Sequence, residues 1–192
     1  MNLVDRVKNI LLQPRQEWAV IETETTDTKT LYTSYAMILA AIPAVAGFIG
    51  GSIIGYGAFG VSFKVPITQG IAAMVVGYAL ALGGAYVLAL IINALAPNFG
   101  GTKNMNQALK LAIYSATASW LAGIFSLIPG LSILGLLGLY SLYLLYTGLP
   151  LLMKSPEDKA MTYTIVIVVC AIVIALVIGA ISAGIVGTGM RL

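Results

Sequence analysis

Tyr140, Tyr143, Tyr146 and Thr147 place four hydroxyls within about two helical turns of one apolar stretch, LYSLYLLYTGLPLLM, Leu139 to Met153. Hydroxyls in such a setting can relay protons, line a path for a polar solute, or bond to neighbouring helices. A proton relay or an acid–base site needs an ionisable partner. The chain has no histidine, its single cysteine is Cys170, and every Asp and Glu either precedes residue 30 or is Glu157 or Asp158. Imidazole catalysis, histidine pH switching and the usual zinc sites are thereby excluded, and one cysteine forms neither an internal disulfide nor a thiolate metal site. A serine nucleophile would lack its base, and an ion-coupled pump would lack embedded carboxylates. The sequence therefore predicts no enzyme, no catalytic residue, no metal and no cofactor. Two uses of the hydroxyls remain: bonds between helices, or the lining of an uncoupled channel or transporter for a small neutral or weakly charged solute, built with Ser115, Thr117, Ser119 and Asn93.

The elements that would position these groups follow from hydropathy. Across 192 residues the chain is 59% hydrophobic and 9% charged, with a mean hydropathy of +0.98, against roughly half apolar and a quarter charged in soluble domains. It reads as an all-α integral membrane protein. A spanning helix needs about 20 mainly apolar residues, and five stretches supply them: about 31–55, 68–96, 107–127, 131–153 and 161–186. They form one five-helix domain over 31–192, preceded by a cytoplasmic segment and linker over 1–30. The third and fourth spans are joined only by Ile128-Pro129-Gly130 and must pair tightly. By periodicity Tyr140, Tyr143 and Thr147 share a face, and Tyr140 and Tyr143 are expected to bond to Ser115, Thr117 or Ser119 of the third span. Pro150 and the charged MKSPEDK that follows are expected to end the helix at the membrane boundary.

Small residues recur at Gly47, Gly51 and Gly55, at Gly77, Ala81 and Ala85, and at Gly179, Ala183 and Gly187. Such faces let helix backbones approach closely in lipid; they are expected to pack within the bundle, with a homo-oligomer as the alternative.

Lysine and arginine in short loops set orientation. Arg6, Lys8, Arg15, Lys29, Lys103, Lys110, Lys154 and Lys159 fall on one side, and Lys64 and Arg191 on the other. This places the N-terminus in the cytoplasm and, with five spans, the C-terminus outside. Some thirty polar and charged residues precede the first span, so it is not expected to be a cleaved signal peptide. Leu3, Val4, Val7, Ile10 and Leu11 recur at helical spacing against Asp5, Arg6, Lys8 and Asn9, the pattern of a short amphipathic interfacial helix. Its partners would be anionic lipids or the ends of the spans. A net charge of +3 does not suggest a nucleic-acid surface.

The stretch QPRQEWAVIE, Gln13 to Glu22, resembles the cytoplasmic entry motif of bacterial Yip-domain proteins. APNFGGTKNMNQALKLAIYSATASWLAGIFSLIPGL and the following LYSLYLLYTGLPLLMKSPEDKA resemble the core of the Yip family, in particular its bacterial YohC-like inner-membrane branch. The resemblance implies a five-helix inner-membrane bundle with a cytoplasmic N-terminus and a role in membrane organisation, as a scaffold or an interaction module for a membrane protein partner. Eukaryotic members interact with Rab GTPases; with so short an N-terminal region here, that binding is not carried over. The matching positions are Pro14, Trp18, Gly100, Gly101, Tyr114, Ser115, Pro129, Tyr140, Tyr143, Gly148 and Pro150, with no chemistry assigned to them.

Overall fold

A computed structural model describes residues 2–58 and 61–187; Arg191 lies outside them. Two short helices open the chain. Asn2 caps α1 (Leu3–Leu12), its side chain accepting from the Val4 amide at 3.0 Å. Pro14, whose fixed φ suits a first helical position, starts α2 (Pro14–Thr23). Asp27 then caps the first spanning helix, α3 (Thr28–Ile54), accepting from the Thr30 amide at 3.3 Å. That contact with Thr30 holds its carboxyl below the usual carboxylate range.

Four further helices are long and apolar enough to cross a membrane: α4 (Ile67–Phe99), α5 (Met105–Leu127), α6 (Gly130–Met153) and α7 (Glu157–Gly187). The protein is a five-span all-α bundle. Between α3 and α4 lies a small antiparallel ribbon, β1 (Tyr56–Ala58) with β2 (Val61–Phe63), in register Tyr56↔Phe63.

The centre of the bundle is α5. Every residue from Ala108 to Ser115 is buried, the mark of a helix packed all round. Hydroxyls clasp its neighbours: Tyr32 donates to the Leu82 carbonyl and Tyr78 to the Met37 carbonyl, each at 3.0 Å, joining α3 to α4. Tyr163 of α7 donates to the Ile92 carbonyl of α4.

The helix α6 ends at Met153 as expected, but the stop is made by Lys154, which takes a left-handed φ of 54°, while Pro150 lies inside the helix. The small-residue faces are corrected. Gly55 is not on a helical packing face, since its φ of 87° breaks α3. The close approach is made instead by Gly50, where a Cβ would lie 2.0 Å from the Ser126 carbonyl oxygen, while Gly179, Gly184 and Gly187 of α7 meet nothing within 4 Å. The fifth-span face is therefore unpacked within the chain. Gly47, Gly51, Gly77 and Ala81 border a cavity of about 400 Å³ and do not close on each other.

Candidate functional site

The side chains most able to do chemistry gather at the end of the bundle where α1 and α2 dock. Arg6 of α1 is buried and pairs with Glu17 of α2, Nη1 to Oε1 at 2.5 Å, and with Glu24 just beyond α2. Its Cζ lies 5.4 Å from the centroid of the Tyr114 ring of α5, within the range of cation–π attraction. Burial works against the Arg6 charge; the hydrogen bond to Glu24 and the carboxylates of Glu24 and Glu17 outweigh it, leaving its pKa above the ordinary value.

Lys110 of α5 is 1% exposed. Its ammonium donates to the Ile21 carbonyl at 3.0 Å and to the Glu24 carbonyl. Gln107 donates to the Glu22 carbonyl at 2.8 Å and Asn106 to the Thr26 carbonyl at 2.7 Å. Lys154, after α6, pairs with Glu22 at 2.5 Å. The last turn of α2 and the strap behind it are thus held by side chains of α5 and by Lys154 just after α6.

Trp18 wedges beneath this cap and is wholly buried. A Cβ at Gly148 would sit 2.5 Å from its Cε2 and 2.8 Å from Leu111 Cδ1, so only glycine at 148 lets the indole seat against α6. Trp18 lies edge-on to Tyr114, with centroids 6.4 Å apart, and Tyr114 edge-on to Tyr35 of α3 at 4.7 Å. Below them Tyr35 Oη and Thr117 Oγ1 are 2.7 Å apart, and Thr117 donates to the Tyr114 carbonyl at 2.7 Å. Thr117 has spent its proton there, so Tyr35 is the donor to Thr117.

Of the eleven positions singled out in the sequence, Trp18, Tyr114 and Gly148 meet here, and Pro14 is buried at the start of the same helix as Trp18. Ser115 is buried but bonds within α5, donating to the Leu111 carbonyl at 2.6 Å. Gly100 and Gly101 form a second joint: Gly100 has a φ of 74°, and a Cβ at Gly101 would lie 2.6 Å from the Met153 carbonyl oxygen, which accepts from the Thr102 amide at 2.8 Å. Pro129 opens the turn into α6, its side chain outside the described set. Pro150 faces a separate pocket beside α2.

The bonding assigned to Tyr140 and Tyr143 is corrected. Tyr140 donates to the Leu11 carbonyl of α1 at 3.0 Å, and the two rings, 37% and 41% exposed, lie against each other with centroids 5.3 Å apart. The link between α5 and α6 is made by Ser119, bonded to Ser141 Oγ at 2.8 Å and to the Gly138 carbonyl at 3.0 Å. The cause is local winding. Residues Pro129–Leu139 form three-residue turns, which rotate about 120° per residue where an α-helix rotates 100°, so over eleven residues the face is displaced by roughly 220°.

Lys110, counted in the sequence among the loop cations, is instead buried on α5, and Arg6 and Glu17 are buried with it. The signal was a lone lysine inside the apolar run ALKLAIY; such a residue in a span faces the bundle and finds partners. The α1 pattern likewise placed Arg6 on the outer face, whereas Arg6 and Ile10 turn inward and Val4 and Leu12 face out at 67% and 69% exposure. As chemistry the cluster is self-neutralised: two cations meet two carboxylates and backbone carbonyls. Among the described residues no group of three or more His, Cys, Asp or Glu side chains could hold a metal ion.

Comparison with known proteins agrees with this architecture. The model of the Yip1 domain matches residues 8–179. The chain belongs to the Yip1 family. Inner membrane protein YohC of Escherichia coli strain K12 is 27% identical over 194 residues, which cover 98% of this chain and 100% of that protein; the YohC of strain O6:H1 matches equally. No solved structure matches the chain. The Yip1 match begins inside α1 and takes in α2 as well as the first four spans and most of the fifth.

Proposed function

We propose that this Yip1-family protein is a non-enzymatic scaffold or interaction module of the bacterial inner membrane. The N-terminus and the docked cap lie in the cytoplasm and the C-terminus on the periplasmic side. The observation that carries the reading is the buried Arg6–Glu17–Glu24 and Lys110 network. It commits the reactive groups of the charged end to holding α1 and α2 rigidly on α5 and α6, which suits a platform better than a catalyst. The name of the YohC relatives supports the location, and the side-by-side placement of Lys110, Lys154 and the N-terminal segment supports the common cytoplasmic end.

The channel reading is weaker because the hydroxyls of its lining are occupied, Thr117 by Tyr35, Ser119 by Ser141, and Ser115 by its own helix, although Asn93 Oδ1 is buried without a partner among the described residues. Proteoliposomes carrying the full chain should leak glycerol and small amino acids no faster than protein-free vesicles. A saturable flux that Thr117→Val abolishes would overturn the scaffold reading. Periplasm-active reporters should be silent at the N-terminus and active at the C-terminus; the reverse at either end rejects the orientation.

A further inference from the structure

A pocket of about 610 Å³ opens at the charged end between α2, the last turns of α6 and the first turn of α7. That volume is in the range of small-ligand sites, about 300–1,000 Å³. Its wall carries one cation and one anion from different elements, Arg15 of α2 and Glu157 of α7. Both are exposed. Among the described residues the ion pairs are Arg6–Glu17, Arg6–Glu24 and Lys154–Glu22, and neither Arg15 nor Glu157 joins them.

Tyr146, Thr147 and Pro150 of α6 also line it. Pro150 has no amide hydrogen, so the carbonyl of Tyr146, four residues earlier, loses its helical donor at this spot. The neighbouring Lys154, 55% exposed, marks the headgroup level. Beyond Glu157 an apolar ridge winds along α7 at every fourth residue, Met161, Ile165 and Val169, each more than half exposed. The pocket thus has a dipolar mouth at the membrane surface and an apolar track leading into the bilayer.

We propose that this pocket binds the headgroup of a zwitterionic phospholipid carrying a primary ammonium. The phosphate lies on the Arg15 guanidinium, whose planar fork suits it, the ammonium donates to Glu157 and the Tyr146 carbonyl, and the acyl chains follow Met161, Ile165 and Val169. Charge complementarity selects this class. Phosphatidylglycerol has no cation for Glu157, and a quaternary ammonium has no hydrogen to donate. The site is independent of the scaffold reading and can fail without it.

The test uses the delipidated full chain in detergent, titrated with dioctanoyl phosphatidylethanolamine and, separately, with dioctanoyl phosphatidylglycerol, dioctanoyl phosphatidylcholine and free phosphoethanolamine, with thermal unfolding as the readout. Phosphatidylethanolamine should half-saturate at about tenfold lower concentration than the other two lipids. Arg15→Gln should weaken it about tenfold, and Glu157→Gln should remove the preference over phosphatidylcholine, while both variants unfold like the wild type without lipid. Equal response to all three lipids, or binding unchanged in both variants, overturns the proposal. Free phosphoethanolamine binding as tightly as the lipid overturns the lipid as the source.

Discussion

Two spans of this bundle invert the rule that governs soluble proteins. The fifth, α7, has a mean hydropathy of 3.3 and is 11% buried over its most apolar window, whereas the third, α5, has a mean hydropathy of 1.3 and is 67% buried. The most apolar helix is the most exposed. In lipid, apolar side chains gain little by meeting one another, so the interior goes to helices whose polar groups can be satisfied only there. On α5 these are Lys110, Ser115, Thr117 and Ser119, each hydrogen-bonded. Polarity, more than hydropathy, marks the centre of the fold.

Substitutions on the two helices and their neighbours should separate by the same measure. The largest effect is expected where a charge is stranded: Glu17→Ala leaves Arg6 short of a carboxylate at a pair whose side chains are each 6% exposed, and should cost about 3–5 kcal/mol in reversible unfolding. The double variant with Arg6→Ala should cost less than the sum of the singles; strict additivity would show that the pair does not interact. Next, Gly148→Val drives a side chain into Trp18 and Leu111 and should cost about 1–3 kcal/mol, while Gly179→Val on α7, with nothing within 4 Å, should be close to neutral. Equal losses at both would erase the contrast between core and lipid-facing helices. Smallest is Tyr35→Phe, which removes one partner of the bond to Thr117 and should cost about 0.6 kcal/mol. Tyr140→Phe, at a partly exposed bond to Leu11, should stay within about 0.5 kcal/mol.

Much of the fold was legible because its signals are additive along the chain. Five apolar runs and a hairpin too short to be anything else need no tertiary knowledge, and Trp18, Tyr114 and Gly148 could be picked out by their resemblance to the family. What stayed hidden depended on phase or on distant partners. The three-residue turns of Pro129–Leu139 leave no mark in hydropathy, yet they rotate Ser141 toward α5 and turn Tyr140 toward α1. Arg6 reads as an interfacial cation until Glu17, eleven residues on, is folded back against it. The glycines of α3 and α4 promise contact, but whether they close or leave a cavity depends on the larger neighbours between them.

The central claim is that α1 and α2 are an integral, sealed part of the bundle, held by buried charges. Hydrogen–deuterium exchange of the full chain in lipid nanodiscs tests it most directly. The account predicts that the amides of Ile10, Trp18 and Ile21, whose side chains are wholly buried, exchange as slowly as those of Leu109 to Ile113 in α5, and that Glu17→Ala accelerates the first set and spares the second. Exchange of residues 3–23 at the rate of an unprotected peptide in the wild-type chain would contradict it.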